Sequence, residues 1–145
     1  MVRHWAALLS WPAFWVGTSL LQLKVANRIP GGPGGAIAGA ANGNPQPLAV
    51  LNQFFGALVG DQGQLFVVVL VAVQLFVGLG IAARPTRPFA LVMAGVCAVF
   101  FGLVGQDFGG IFAGGATDPG TGPTLLVVTA AMWARLDLNR RAPAM

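Results

Sequence analysis

The chain has 145 residues, of which 56% are hydrophobic and only 8% charged, with a net charge of +4. A soluble domain carries about a quarter charged residues, so this composition argues against a soluble domain and predicts a single membrane domain. The apolar runs are long and continuous, which favours helices over the alternating strands of a membrane barrel. The eight Lys and Arg residues are dispersed, which argues against a nucleic-acid partner.

Four apolar segments predict an all-α fold, a bundle of four transmembrane helices. They cover approximately residues 5–23, 65–83, 89–105 and 122–136 of one domain, 1–145, and a helix that crosses a bilayer needs about 20 residues. Pro12 lies inside the first segment and is expected to kink it. Cys97 is the only cysteine, so an intrachain disulfide is excluded and a buried structural thiol is expected.

The basic residues predict that both termini are cytoplasmic. With the N-terminus inside, six of the eight basic residues fall on the inner side, namely Arg3, Arg84, Arg87, Arg135, Arg140 and Arg141. Lys24 and Arg28 fall on the outer side, so this topology obeys the positive-inside rule. The connections 25–63 and 106–121 are then predicted to be outer loops.

The first outer loop divides into two parts. Residues 29–35 are too rich in Gly and Pro to predict a helix, and residues 36–44 offer little to bury. From Pro47, apolar residues recur at helical spacing, which predicts an outer amphipathic helix; they are Leu48, Leu51, Phe55, Leu58 and Val59. This helix either packs as a lid or contacts a substrate.

The second outer loop is rich in glycine and holds two of the four acidic residues. Asp107 follows the third segment, and an ionisable group at the membrane edge indicates function when it faces the bundle interior. A structural salt bridge from Asp107 to Lys24 or Arg28 is the alternative.

Four further residues of this loop are assigned structural roles. Gly109 and Gly110 let the backbone turn tightly. Asp118 followed by Pro119 is typical of a helix N-cap with proline at the first helical position, although Asp118 could also contact a ligand.

Uncharged polar side chains of the outer half complete a candidate ligand site, whose members are Gln22, Gln74, Gln106, Asp107 and Phe108. Interhelical hydrogen bonds of about 1 kcal/mol each are the alternative role for the glutamines, and the one expected for Gln74. His4 is the only histidine, and the sequence has no Glu and no Tyr. No catalytic residues, no metal site and no covalently bound cofactor are therefore predicted.

Three glycine-containing motifs resemble the DoxX-like membrane proteins of bacteria, especially the actinobacterial variants. They are residues 74–80 (Gln-Leu-Phe-Val-Gly-Leu-Gly), 105–110 (Gly-Gln-Asp-Phe-Gly-Gly) and 116–123 (Ala-Thr-Asp-Pro-Gly-Thr-Gly-Pro). The resemblance covers most of the chain from Trp11. Many relatives have an acidic residue where this chain has Gln106, with Asp107 beside it.

The resemblance implies a multi-pass protein of the bacterial plasma membrane. Its expected role is that of an accessory, partner-dependent subunit of a redox or respiratory-type complex, which contacts quinone or lipid at its outer face. The expected partners are the lipid bilayer and other membrane subunits or a second copy. A small-molecule carrier and a quinone-linked oxidoreductase are the alternatives, and a continuous polar cavity from Gln74 to Asp107 would favour the carrier.

Overall fold

A computed structural model of the protein describes residues 2–105 and 120–141, and this part of the chain is helical, without a strand. The prediction of an all-α fold is confirmed for these residues. The six α-helices are α1 (Val2–Gln22), α2 (Gly32–Gly39), α3 (Gln46–Val59), α4 (Gly63–Leu79), α5 (Arg87–Phe100) and α6 (Thr121–Arg141). A 3₁₀ turn (Val25–Asn27) follows α1, and a π-helical turn (Phe101–Gly105) continues α5.

Helices α1 and α4 pack side by side in opposite directions. Trp15 lies on the backbone of Gly78, where an added Cβ would be 2.9 Å from the Trp15 Cβ. At the other end of the pair, a Cβ on Gly63 would lie 2.9 Å from the carbonyl oxygen of Ile29. The approach of α1 to α4 therefore depends on the lack of a side chain at Gly78, and that of Gly63 lets residues 29–33 lie against the start of α4.

Side chains cap the carboxyl end of α4, where backbone carbonyls have no partner within the helix. The Trp11 indole donates to the Val77 carbonyl at 2.9 Å, and the Thr86 hydroxyl donates to the Gly80 carbonyl at 2.6 Å. The Arg87 Nε donates to the carbonyl of Ile81 at 2.9 Å, where a cation also complements the helix dipole. The helix thus ends at Leu79, before the end of the apolar segment 65–83.

Helix α5 buries its alanines and exposes most of its large side chains, with Leu91 as a buried exception. Ala90, Ala94 and Ala98 are fully buried, whereas Val92 and Val96 are more than half exposed. A soluble helix normally does the reverse, because burial of large apolar side chains provides most of its stabilisation.

Helices α2 and α3 form a closely packed pair. A Cβ on Gly56 would lie 2.7 Å from the Ala38 Cβ and 2.8 Å from the carbonyl oxygen of Gly34. The expectation that residues 29–35 are not helical was wrong from Gly32 onwards. Pro33 lies in the first turn of α2, where its missing N–H costs nothing, and the glycines allow the backbone contact with α3.

The helix predicted after Pro47 is α3, and only part of its predicted apolar face is buried. Val59 is buried and Leu51 and Phe55 are half-buried, but Leu58 is 66% exposed. Phe55 packs edge-on against Phe100, with ring centroids 5.3 Å apart. The pair α2–α3 therefore contacts the carboxyl-terminal end of α5.

Among the described residues, one helical segment, Arg87–Val104, is long and apolar enough to cross a membrane, with a mean hydropathy of 2.0. Helices α3 and α4 meet this criterion only together, and they are bent by 104° at the break between them. The criterion uses length and composition alone, which core helices of soluble proteins can also satisfy.

Candidate functional site

One face of α1 carries two aromatic side chains followed by two polar ones. Trp11, Trp15, Thr18 and Gln22 follow one another at intervals of four, three and four residues, which places them on one side of a helix. Trp11 and Trp15 are buried, and their ring centroids lie 5.9 Å apart. This face meets α4 near Val77 and Gly78, so its polar half lies towards the amino-terminal end of α4.

A cavity of about 230 Å³ lies at the polar half of this face. Helices α1, α4 and α6 and the π-helical turn all contribute to its walls. The lining residues are Phe14, Trp15, Thr18, Gln22, Gln74, Phe101, Thr121 and Leu125. The cavity therefore combines four polar side chains with aromatic and aliphatic walls, a composition typical of small-molecule sites.

Gln74 is the most deeply buried polar residue of this cavity. Its side chain is 1% exposed, and its Oε1 has no hydrogen-bond partner within residues 2–105 and 120–141. A buried acceptor without a donor costs about 1–3 kcal/mol. Such a group is tolerated where a ligand or an ordered water completes it, so Gln74 marks the polar end of the candidate site.

Thr18 presents a hydrogen-bond acceptor to the cavity. Its hydroxyl donates to the Trp15 carbonyl at 3.0 Å, within the first helix. Because the hydroxyl hydrogen is used there, the lone pairs of Oγ1 are what Thr18 can offer to a bound molecule. Among the lining residues that the structure describes, none is charged.

An apolar groove of about 420 Å³ adjoins the cavity, between α1 and α6. Phe14, Trp15, Thr121 and Leu125 line both spaces. From there the groove continues between Trp11 of α1 and a stripe of α6 that comprises Val128, Ala131, Met132 and Arg135. The two spaces together have one polar end and one long apolar end.

The structure brings two of the predicted site residues together, since Gln22 and Gln74 line the same cavity. The remaining predicted site and loop residues lie outside the described part of the chain; they are Gln106, Asp107, Phe108, Gly109, Gly110, Asp118 and Pro119. The interhelical hydrogen bond expected for Gln74 is not formed by its Oε1.

Sequence reasoning missed Thr18, Phe14, Phe101 and Thr121 as site residues. The signal for Thr18 was present, because its spacing from Trp15 and Gln22 places it on the same helical face. Phe101 and Thr121 gave no such signal, since they reach the cavity only through the packing of α5 against α6.

Comparisons of the chain with protein families, with curated proteins and with solved structures give no match. The DoxX-like resemblance therefore stays a prediction that rests on the three glycine-containing motifs.

Proposed function

We propose that this protein is a four-span subunit of the bacterial plasma membrane that binds an amphipathic small molecule, a quinone or a lipid, and acts together with other membrane proteins. The observation that carries the proposal is a cavity lined by the buried Gln74, whose Oε1 has no hydrogen-bond partner among the described residues, beside an apolar groove. The polar head of the ligand occupies the cavity, and its apolar tail lies in the groove.

The distribution of side-chain size supports the membrane part of the proposal. On α5, alanines are buried while valines and Phe89, 68% exposed, face outward. In a bilayer this arrangement is favourable, because small residues let helices approach closely and large apolar ones contact lipid tails. Leu65, Val68 and Leu79 extend the exposed apolar surface along α4.

The charges of the described residues fit the proposed orientation. Lys24, Arg28 and Asp61 are exposed near the end where α1 leads towards α4, and Arg84 is exposed in the turn between α4 and α5. Arg135 lies near the carboxyl end of α6. With Arg87 included, the second end has three described basic residues and the first end has two, which agrees with the positive-inside rule for outer loops at the first end.

The dependence on a partner follows from the chemistry of the cavity. Its described lining residues supply hydrogen bonds and apolar contact, which hold and orient a molecule. In this proposal, any reaction of the bound molecule is carried out by another subunit. The groove is open between α1 and α6, so a ligand can enter sideways from the bilayer.

The carrier alternative is not favoured by the described helices, because α1 continues through Pro12 without a break. Its distinguishing feature, a polar cavity that reaches Asp107, involves a residue outside the described part of the chain. The carrier and the quinone-linked oxidoreductase therefore stay alternative predictions, ranked below the proposed function.

The test is a gentle-detergent purification of tagged protein from its native membrane, followed by mass spectrometry of lipids, quinones and associated proteins. Wild type and Gln74→Leu are compared with Gln64→Leu, a matched control whose glutamine is exposed on the same helix. We expect an enriched amphiphile with wild type and with the control, and its loss with Gln74→Leu.

A separate variant, Asp107→Asn, tests whether the outer loop holds the partner subunits. Loss of the associated proteins with retention of the amphiphile supports two distinct contacts. Purification of the wild type without any enriched amphiphile would contradict the proposed function.

A further inference from the structure

We propose that α3 lies parallel to the membrane surface in the outer leaflet and binds lipid through an exposed apolar stripe formed by Val50, Phe54 and Leu58. This proposal rests on the membrane location in the proposed function and adds a second lipid contact, distinct from the amphiphile site between α1 and α6. The partner of the stripe is the boundary between lipid headgroups and acyl chains.

The stripe is contiguous and apolar. Val50, Phe54 and Leu58 follow one another at intervals of four residues, which places them on one side of the helix. Each of the three is more than half exposed, and none of the 14 residues of α3 is charged. A helix whose outward face met only water would carry polar side chains there, so a partner is expected to cover this face.

The exposed glutamines of α3 lie beside the stripe. Gln46 and Gln53 are seven residues apart, so they form one narrow edge of the helix. The exposed surface therefore has an apolar part and a polar part of its own. Helices that lie in the membrane interface are divided in this way, since one part contacts water and the other contacts acyl chains.

Aromatic contacts place the stripe on the side of α3 that adjoins the apolar segment Arg87–Val104. Phe54 packs edge-on against Phe55, with ring centroids 5.4 Å apart, and Phe55 packs against Phe100 at the end of α5. Gly56 lies on the opposite side of α3, against α2. The stripe thus continues the exposed apolar surface of α5 onto α3.

The bend between α3 and α4 gives α3 its orientation. The two helices meet at 104°, so α3 runs nearly parallel to the membrane surface when α4 crosses the bilayer. A basic residue lies at the same level, because the Ile29 carbonyl oxygen is 2.9 Å from a Cβ on Gly63, the first residue of α4, and the exposed Arg28 precedes Ile29. A guanidinium at this level complements the phosphates of lipid headgroups.

A second copy of the chain is the alternative partner for the stripe. Membrane helices that pack against one another are enriched in small residues at the contact, and Gly56 of α3 already contacts α2. The stripe instead presents a large side chain at every turn, which suits contact with acyl chains. Lipid is therefore the partner that these residues favour.

Spin labels on introduced cysteines test the proposal, since Cys97 is the only native cysteine. Val50→Cys, Phe54→Cys and Leu58→Cys are made in a Cys97→Ala background, labelled, and placed in nanodiscs of phosphatidylcholine and phosphatidylglycerol. Collisions of each label with oxygen, which is enriched among acyl chains, are compared with collisions with a water-soluble nickel chelate. We expect a high ratio of oxygen to nickel collisions at all three positions, and a low ratio for Gln53→Cys on the polar edge.

Ala72→Cys is the control for the membrane itself, because Ala72 is exposed in the middle of α4. Its label should show a high ratio of oxygen to nickel collisions. If Cys97→Ala does not fold, the native Cys97 is kept, since it is buried whereas the introduced cysteines lie at exposed positions.

The outcomes separate this proposal from the proposed function. A low ratio at the three stripe positions, or exclusion of both reagents from them, overturns the lipid contact while Ala72→Cys still reports a bilayer. Spin–spin coupling that accompanies exclusion of both reagents would assign the stripe to a second copy. A low ratio at Ala72→Cys overturns the membrane location in the proposed function itself.

Discussion

Among the described helices, α6 packs closely against α5 and is separated from α1 by a groove. Against α5 it packs backbone to backbone, since a Cβ on Gly122 would lie 2.5 Å from the Gly102 Cα and 2.8 Å from the Ala98 carbonyl oxygen. Towards α1 it leaves a groove of about 420 Å³ that includes Trp11 and Trp15 in its walls. Small residues allow close contact between α5 and α6, a contact called here the closed seam. Large aromatic side chains line the groove between α6 and α1, called here the open seam.

This difference lets one small set of helices combine a rigid contact with the proposed binding site. Close backbone approach at the α5–α6 seam fixes the position of α6. The groove between α1 and α6 then has a defined width. Without the contact between α5 and α6, this groove would collapse. We expect substitutions at the α5–α6 contact to lower mainly the stability of the protein. Substitutions in the α1–α6 groove should weaken mainly the binding of the proposed ligand.

The largest effect is expected for Gly122→Ala, which breaks the closed seam. The added methyl group meets backbone atoms, which cannot move aside as a flexible side chain can. Overpacking of this kind costs about 3 kcal/mol at the upper end of its usual range. Thermal unfolding in detergent should show a clear drop.

The matched control for Gly122→Ala is Gly95→Ala on α5. No atom lies within 4 Å of a Cβ at Gly95, and alanine is preferred to glycine inside a helix by about 1 kcal/mol. This control should be neutral or slightly stabilised. Similar melting of the two variants would contradict the close seam between α5 and α6.

Gly56→Ala should have the next largest effect, because the α2–α3 seam is closed by the same means. The new methyl group would lie 2.7 Å from the Ala38 Cβ, and we expect a loss of about 2 kcal/mol. Gly39→Ala is the control on α2, since its Cβ would meet nothing within 4 Å. Protease sensitivity of the α2–α3 pair, measured together with thermal unfolding, shows whether the destabilisation is confined to this pair.

The helices were largely predictable from the sequence, and their contacts were not. The apolar segment 89–105 corresponds to α5 and its π-helical turn, because a long apolar run has few alternatives to a helix. Helix α2 was missed because Gly32, Pro33 and Gly34 read as a helix breaker. Their lack of bulk is what lets α2 contact α3, a benefit that only tertiary packing reveals.

The candidate site was predictable only in part. Gln74 stood out as a polar side chain in an apolar segment, and the spacing of Thr18 and Gln22 on α1 was readable. The cavity itself depends on where α6 lies relative to α1 and α4, and α6 is held against the end of α5 by the contact of Gly122 with Gly102, two residues of separate segments. No local pattern in a single sequence encodes that distance.

Ala131→Phe tests the open seam directly. Ala131 lines the groove, and a phenyl group there fills the space that the tail of the proposed ligand would occupy. Binding should weaken about tenfold, a change of about 1.4 kcal/mol, while thermal stability stays close to that of wild type. Ala130→Phe is the control, since Ala130 is exposed and is not among the residues that line the groove. Equal loss of binding in both variants would argue against the groove as the tail site.

Trp11→Phe should have the smallest effect. It distinguishes two roles of Trp11, namely capping of the carboxyl end of α4 and contact with the proposed ligand. The substitution keeps an aromatic wall but removes the N–H that donates to the Val77 carbonyl at 2.9 Å. We expect a loss of about 1 kcal/mol, since an under-satisfied carbonyl is better tolerated than an orphaned N–H. Binding should change little, because the groove keeps its apolar surface.

Trp133→Phe provides the comparison for Trp11→Phe, as Trp133 is 43% exposed on α6. Unfolding and ligand binding measured on the same samples distinguish a capping role from a ligand contact. If Trp11→Phe lowers binding and leaves stability intact, the indole N–H serves the ligand rather than the end of α4. The groove between α1 and α6 would then contain a second polar group, the Trp11 N–H, and the site would extend from Gln74 along the groove to Trp11.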